Sequence, residues 1–184
     1  MTRIRAVLIA VMMIGAGISG APVQAEDLAI NAFFGRYSGN AISTSEEGIS
    51  KRDLSVHIRD AGAGAFTLDW MTFTRKADGR RKRKSYSITF KPTRRGNIFG
   101  SAMQRDKFGN AVPLDPLQGE PYVWAKIQGK TLAVHALHIN EYGGYELQTY
   151  ERTLTEMGLD LRFSRIRNGE QLKLITGSLE RFDN

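Results

Sequence analysis

The most unusual chemistry in this 184-residue chain is a run of cations. Between Arg75 and Arg95 stand ten basic residues against one acidic residue, Asp78, and Arg80, Arg81, Lys82, Arg83 and Lys84 are consecutive. The whole chain carries a formal net charge of +7, yet from residue 26 onward everything outside this segment sums to −4. Charge so concentrated attracts polyanions such as lipopolysaccharide phosphates or anionic lipid head groups, or a protein partner. No aromatic ring interrupts Arg80 to Lys84, so stacking platforms for single-stranded nucleic acid are missing, and nucleic acid is not expected. The run also reads as a solvated hairpin that keeps a strand edge soluble.

Aromatic residues form the second set. Trp70, Phe73, Tyr86, Phe90, Phe99, Tyr122, Trp124, Tyr145, Tyr150 and Phe163 fall on expected strands, where rings either line an apolar pocket or pack a core. Of the three histidines, His135 and His138 are three apart on one run. Their side chains then point to opposite faces of a strand and cannot share a metal. Asp69, Glu146, Glu151 and Asp160 have no pairing in their spacing, and the chain lacks a Gly-x-Ser-x-Gly elbow, a His-Glu-x-x-His motif and a phosphate-cradling glycine loop. It has no cysteine, which excludes thiol catalysis, disulfides and iron–sulfur clusters. The expectation is a protein without catalytic residues, cofactor or metal.

The elements that must position these groups are strands. Leu54-Val56-Ile58, Phe66-Leu68-Trp70, Tyr86-Ile88-Phe90 and Leu159-Leu161-Phe163 alternate with polar residues, and Leu147 and Leu172-Leu174 read the same way; Val123, Ala125 and Ile127 share one face of their run and Tyr122 and Trp124 the other, and the pattern does not choose which is inward. Alternation of this kind puts one face in a core and one in water. A short helical turn is expected near Ala29 to Phe34. Turn residues separate the runs, the strongest being Asn168-Gly169, suited to a two-residue hairpin. The spacing predicts nine or ten strands, near 33–40, 52–59, 65–74, 84–91, 98–104, 122–128, 131–139, 145–153, 159–166 and 171–180. Short links make neighbours antiparallel. Such an all-β, up-and-down meander of eight to ten strands loses its exposed edges by closing into a barrel; a two-sheet sandwich is the competing architecture. The long connection from Arg105 to Glu120 has no periodicity and is read as a lid.

Before these runs, Arg3 and Arg5 precede an apolar stretch from Ala6 to Ile18, and Val23 and Ala25 are small. That pattern predicts an export signal over 1–25, cut after Ala25, and a single domain over 26–184 in the periplasm or outside the cell. The apolar stretch is too short to span a membrane as a helix. Several strands are also too short for a membrane-spanning barrel.

Phe34-Gly35-Arg36-Tyr37 in the first strand and Arg181 near the last resemble the calycin superfamily, the lipocalin-like small barrels. The resemblance implies that Gly35 and Tyr37 stand where those proteins carry Gly-x-Trp, with Arg181 as the arginine that packs on the ring at the closed end. It further implies a barrel that binds or carries a small, largely apolar ligand, with Trp70, Tyr86, Phe90, Tyr122, Trp124 and Tyr145 as candidate lining. The alternative is an envelope protein whose Arg80–Lys84 hairpin binds anionic lipid or a protein partner, touching the membrane peripherally, with the barrel as scaffold.

Overall fold

The computed structural model describes residues 26–182 apart from 46–47, 76–79, 102–103, 106, 110 and 113. The expected leader lies outside the described residues. Twelve strands follow in order: β1 (Gly35–Ser45), β2 (Gly48–Asp60), β3 (Phe66–Arg75), β4 (Arg81–Pro92), β5 (Ile98–Ser101), β6 (Gln104–Arg105), β7 (Ala111–Val112), β8 (Tyr122–Gln128), β9 (Thr131–Ile139), β10 (Tyr145–Leu154), β11 (Gly158–Arg167) and β12 (Glu170–Phe182). Ten of them form a closed antiparallel barrel, in which β1 pairs with both β2 and β12, while β6 and β7 make a separate small ladder. This is the lipocalin-like meander, not a sandwich.

Register and alternation divide the wall into two faces. Tyr37 lies opposite Val56, Val56 opposite Trp70, and Trp70 opposite Tyr86, so all four point inward. At the end where β2 turns into β3, the interior is filled. Tyr37, Ile58, Phe66, Leu68, Phe90, Leu132, Leu159 and Leu179 are fully or almost fully buried, with Phe66 stacked on Phe90 at 5.1 Å and edge-on to Phe99 at 5.2 Å. A 3₁₀ turn, Ile30–Phe33, closes this end with a buried Phe33. The segment before it is tied down where Gly129 N–H donates to Asp27 at 2.6 Å and Asn97 donates to the other Asp27 oxygen at 2.7 Å. The outer face carries ion pairs such as Arg59–Asp69 and Arg162–Glu151. Apolar inside with charge outside is the reverse of a barrel whose wall faces lipid.

Closure demands glycine at the β1–β12 seam. A Cβ on Gly177 would stand 2.7 Å from the Cα and Cβ of Ala41, and one on Gly39 would stand 3.0 Å from Leu179 Cα. Between β11 and β12, Asn168 and Gly169 both have positive φ, the geometry of the tight hairpin their sequence demands.

At the open end β1 and β2 extend further than alternation indicates. β1 continues to Ser45 and β2 begins at Gly48, because the inward positions there are the small or polar Ala41, Ser43, Ser50 and Arg52. The connection after β5 also departs from expectation. It holds the β6–β7 ladder and a 3₁₀ turn, Pro116–Gln118, that packs against β9. It stands at the open end of the barrel, but none of its described residues lines the cavity there.

Candidate functional site

Above the filled half, the interior opens into a cavity of about 440 Å³, within the usual range for small-molecule sites. Four rings line its lower part: Trp70 on β3, Tyr86 on β4, Tyr150 on β10 and Phe163 on β11. Trp70 and Tyr86 are cross-strand partners with rings stacked at 4.9 Å. Tyr150 reaches across the barrel to within 5.7 Å of Trp70 and rests on Phe163 at 4.6 Å. Burial pushes the Tyr150 phenol up to about 12, so it stays protonated, and its hydroxyl donates to Gln148 at 2.9 Å.

Towards the mouth the lining becomes cationic. Arg52, Lys82, Lys84, Arg165 and Lys173 border the cavity together with Thr72, Thr74 and Gln148. Glu146 is the counter-ion on one side, accepting from Arg165 at 2.7 Å and Arg167 at 3.0 Å. The hydrogen bond from Arg165 is the main reason that the Glu146 carboxyl is held at about 2. Across the regular β10–β11 ladder Glu146 lies opposite Arg167 and Gln148 opposite Arg165, so both arginines share the face of that carboxylate, one as its direct and one as its diagonal neighbour. No carboxylate among the described residues serves Arg52 in this way. Among the described residues its Nε has no hydrogen bond, and burial lowers its pKa.

The deepest cation is Arg152 on β10. It is only 3% exposed. Its guanidinium carbon lies 5.7 Å from the Trp70 ring and 6.0 Å from the Tyr150 ring. One long hydrogen bond, Nη1 to the Tyr150 carbonyl at 3.5 Å, is its hydrogen bond to the protein, and Nε has none. Burial pulls its pKa down to about 10, which leaves it a cation at neutral pH.

β4 explains why the wall is open on one side. It pairs with β5 only over Phe90–Pro92, so its upper half has β3 as its one barrel partner among the described strands. Tyr86 lines the cavity and is nevertheless 45% exposed.

The residues singled out from sequence fall in different places. Trp70 and Tyr86 line the cavity. Phe90 belongs to the filled core below. Tyr122 and Trp124 face outward, since their neighbours Val123 and Ala125 hold the inward positions, and Trp124 stacks on His135 at 4.8 Å on the outer wall. Tyr145 is exposed at the start of β10. Tyr122, Trp124 and Tyr145 thus do not form the lining expected of them, because alternation alone leaves the two faces of a strand equivalent. In the basic run, Lys82 and Lys84 line the cavity, Arg83 lies 5.9 Å from the outward Phe73 ring, Arg80 is exposed just before β4, and Arg81 begins the strand. The run therefore splits between mouth and exterior. At the closed end, Gly35, Tyr37 and Arg181 come together. Arg181 lies over the buried Tyr37 ring at 5.3 Å, donates to its hydroxyl at 3.0 Å and donates to the Phe34 carbonyl. A Cβ on Gly35 would stand 2.9 Å from Arg181 Nε.

Tyr150 and Phe163 stand among the strand aromatics that sequence offers for a lining, and the structure brings both into the cavity, whereas Arg52, Arg152 and Arg165 were missed altogether. One signal was available for Arg152. It shares the phase of Tyr150 and Leu154 on β10, and a cation in phase with core residues faces the interior.

No family model matches the sequence and no curated protein matches it significantly. Among solved structures, the chain is similar to a protein of unknown function from the DUF3598 family of Nostoc punctiforme, with 17% identity and a TM-score of 0.56 over 89% of this chain and 53% of that one. It thus spans about half the length of that relative. An S-type phycobiliprotein lyase from Guillardia theta aligns at 7% identity and a TM-score of 0.39, over 84% of this chain and 91% of that one. What the chain shares with the first of these is the fold of the closed barrel.

Proposed function

We propose that the chain is a small-molecule binding barrel that works outside the cytoplasm, binding or carrying a ligand rather than transforming it. A flat apolar body stacks against Trp70, Tyr86, Tyr150 and Phe163. The observation that carries this reading is the 440 Å³ cavity over a floor of four rings, in a barrel whose other half is packed solid. The cationic mouth narrows the expected largely apolar ligand to one that tolerates, or uses, positive charge. The test is native mass spectrometry of the protein purified from its own host, followed by organic extraction. The expected result is one small molecule per chain, released by solvent, on a polypeptide beginning at Glu26. A bare chain that also fails to bind any anthracene-based probe would refute the binding function. A chain that retains Met1 would refute export.

A second reading has a specific observation behind it. Arg52, Lys82 and Lys84 border the mouth, with Arg83 outside it, and this end suits an anionic envelope surface. Lys82→Gln with Lys84→Gln should then lose co-sedimentation with phosphatidylglycerol vesicles, and added salt should mimic the loss. Unchanged sedimentation would remove this reading.

A further inference from the structure

Resting on the reading of the cavity as a ligand site, we propose that the ligand carries a carboxylate and that Arg152 receives it at the bottom of the cavity, beside the aromatic floor. The argument begins with what Arg152 lacks. Four other arginines of the barrel wall have acidic partners: Arg165 and Arg167 share Glu146, Arg162 pairs with Glu151 at 2.8 Å and Arg59 with Asp69 at 3.1 Å. These pairs are at the surface or the rim, where an unpaired charge would cost least. Arg152 is 3% exposed, where the cost is greatest. Among the described residues no carboxylate lies within ion-pair distance of it.

The geometry indicates what would complete the site. A guanidinium presents five N–H donors in a planar fork, and here the protein takes one of them, at 3.5 Å. Trp70 and Tyr150 hold the group by cation–π contact, which orients it without using its donors. Arg152 borders the cavity; its Nε is fully buried, so the Nη end of the fork is the part that a bound molecule would meet. A carboxylate matches such a fork with two parallel hydrogen bonds. One buried cation also balances one negative charge, which favours a carboxylate over a phosphate monoester with its second charge and third oxygen. The ligand class is therefore a flat, apolar molecule bearing a carboxylate, inserted acid end first.

Two probes of one shape test this: 9-anthracenecarboxylic acid and 9-anthracenemethanol, titrated by fluorescence against the native protein and three variants with circular dichroism as the check on folding. The native protein is expected to prefer the acid by about 10- to 100-fold, the range of a charge-assisted pair at a buried site. Arg152→Leu should abolish that preference while changing the alcohol by less than about threefold, and Arg152→Lys should restore part of it. Lys82→Gln with Lys84→Gln should leave it intact, and the preference should resist salt because the pair is shielded. Equal binding of both probes by the native protein would overturn the carboxylate assignment while leaving the cavity a ligand site. A preference that disappears with the lysines but survives Arg152→Leu would overturn the role of Arg152 and move the anion to the mouth. If neither probe binds folded protein, the proposed function itself falls. Should Arg152→Leu fail to fold, the acid-to-alcohol ratio of the native protein and of Arg152→Lys still decides.

Discussion

Replacing Arg152 by leucine should make the ligand-free protein more stable, although the site lies in the middle of the barrel. A guanidinium held at about 10 instead of its ordinary 12.5 carries roughly 3 kcal/mol of unfavourable free energy in its charged form. Against this stand two cation–π contacts near the outer limit of that interaction, at 5.7 and 6.0 Å, and one long hydrogen bond. Together these contribute about 1–2 kcal/mol. Leucine keeps an apolar body between Trp70 and Tyr150 and removes the charge. The net expectation is a gain of about 1–2 kcal/mol, in line with hydrophobic replacement of buried ionic groups. For a domain of this size that is about 2–8 °C in Tm. The assay is urea and thermal unfolding of both proteins, stripped of ligand by solvent extraction. A loss of more than about 2 kcal/mol would refute the reasoning, since it would mean that the protein itself already satisfies the guanidinium.

Further outcomes follow from the same geometry. Glu146 is held at about 2 by Arg165 and Arg167, so its contribution is present above its ordinary value of 4.5 and is lost as pH falls towards 2. After screening at the half-exposed Arg167, that loss should be about 1–2 kcal/mol by acid titration of stability, and absent in Glu146→Gln. Gly177→Val would drive side-chain atoms into Ala41 at the β1–β12 seam. It should cost more than about 2 kcal/mol in denaturant unfolding, and a neutral result would show that the seam relaxes freely. Phe66→Ala, in the filled half, should cost about 3–5 kcal/mol without altering probe affinity. A parallel loss of binding would mean that core and cavity are not separate.

The fold was legible where the interior is apolar. Phe66, Leu68 and Trp70, or Leu54, Val56 and Ile58, point one way because the opposite face is polar, and the register brings them onto one core. Near the mouth that logic inverts. On β10 the inward set is Glu146, Gln148, Tyr150 and Arg152, while Leu147 faces outward opposite Leu137 and Ile166. On β12, Lys173 borders the cavity and Leu174 lies on the other face. A reading that places apolar residues inside therefore assigns Leu147 and Leu174 to the wrong side. The cavity-lining arginines were hidden for the same reason, since they alternate with polar or apolar outward residues and carry no motif. Their convergence depends on strand register, which single-chain periodicity does not contain.

The central claim is that a ligand sits over Trp70 inside the barrel. The chain has two tryptophans, and Trp124 is on the outer wall, so Trp124→Phe leaves one indole as a reporter in the cavity. Titrating this variant with the anthracene acid should give saturable quenching of Trp70 emission at one molecule per chain, reversed by competitor. Emission that stays constant while the folded variant binds the probe would place the ligand elsewhere and contradict the account.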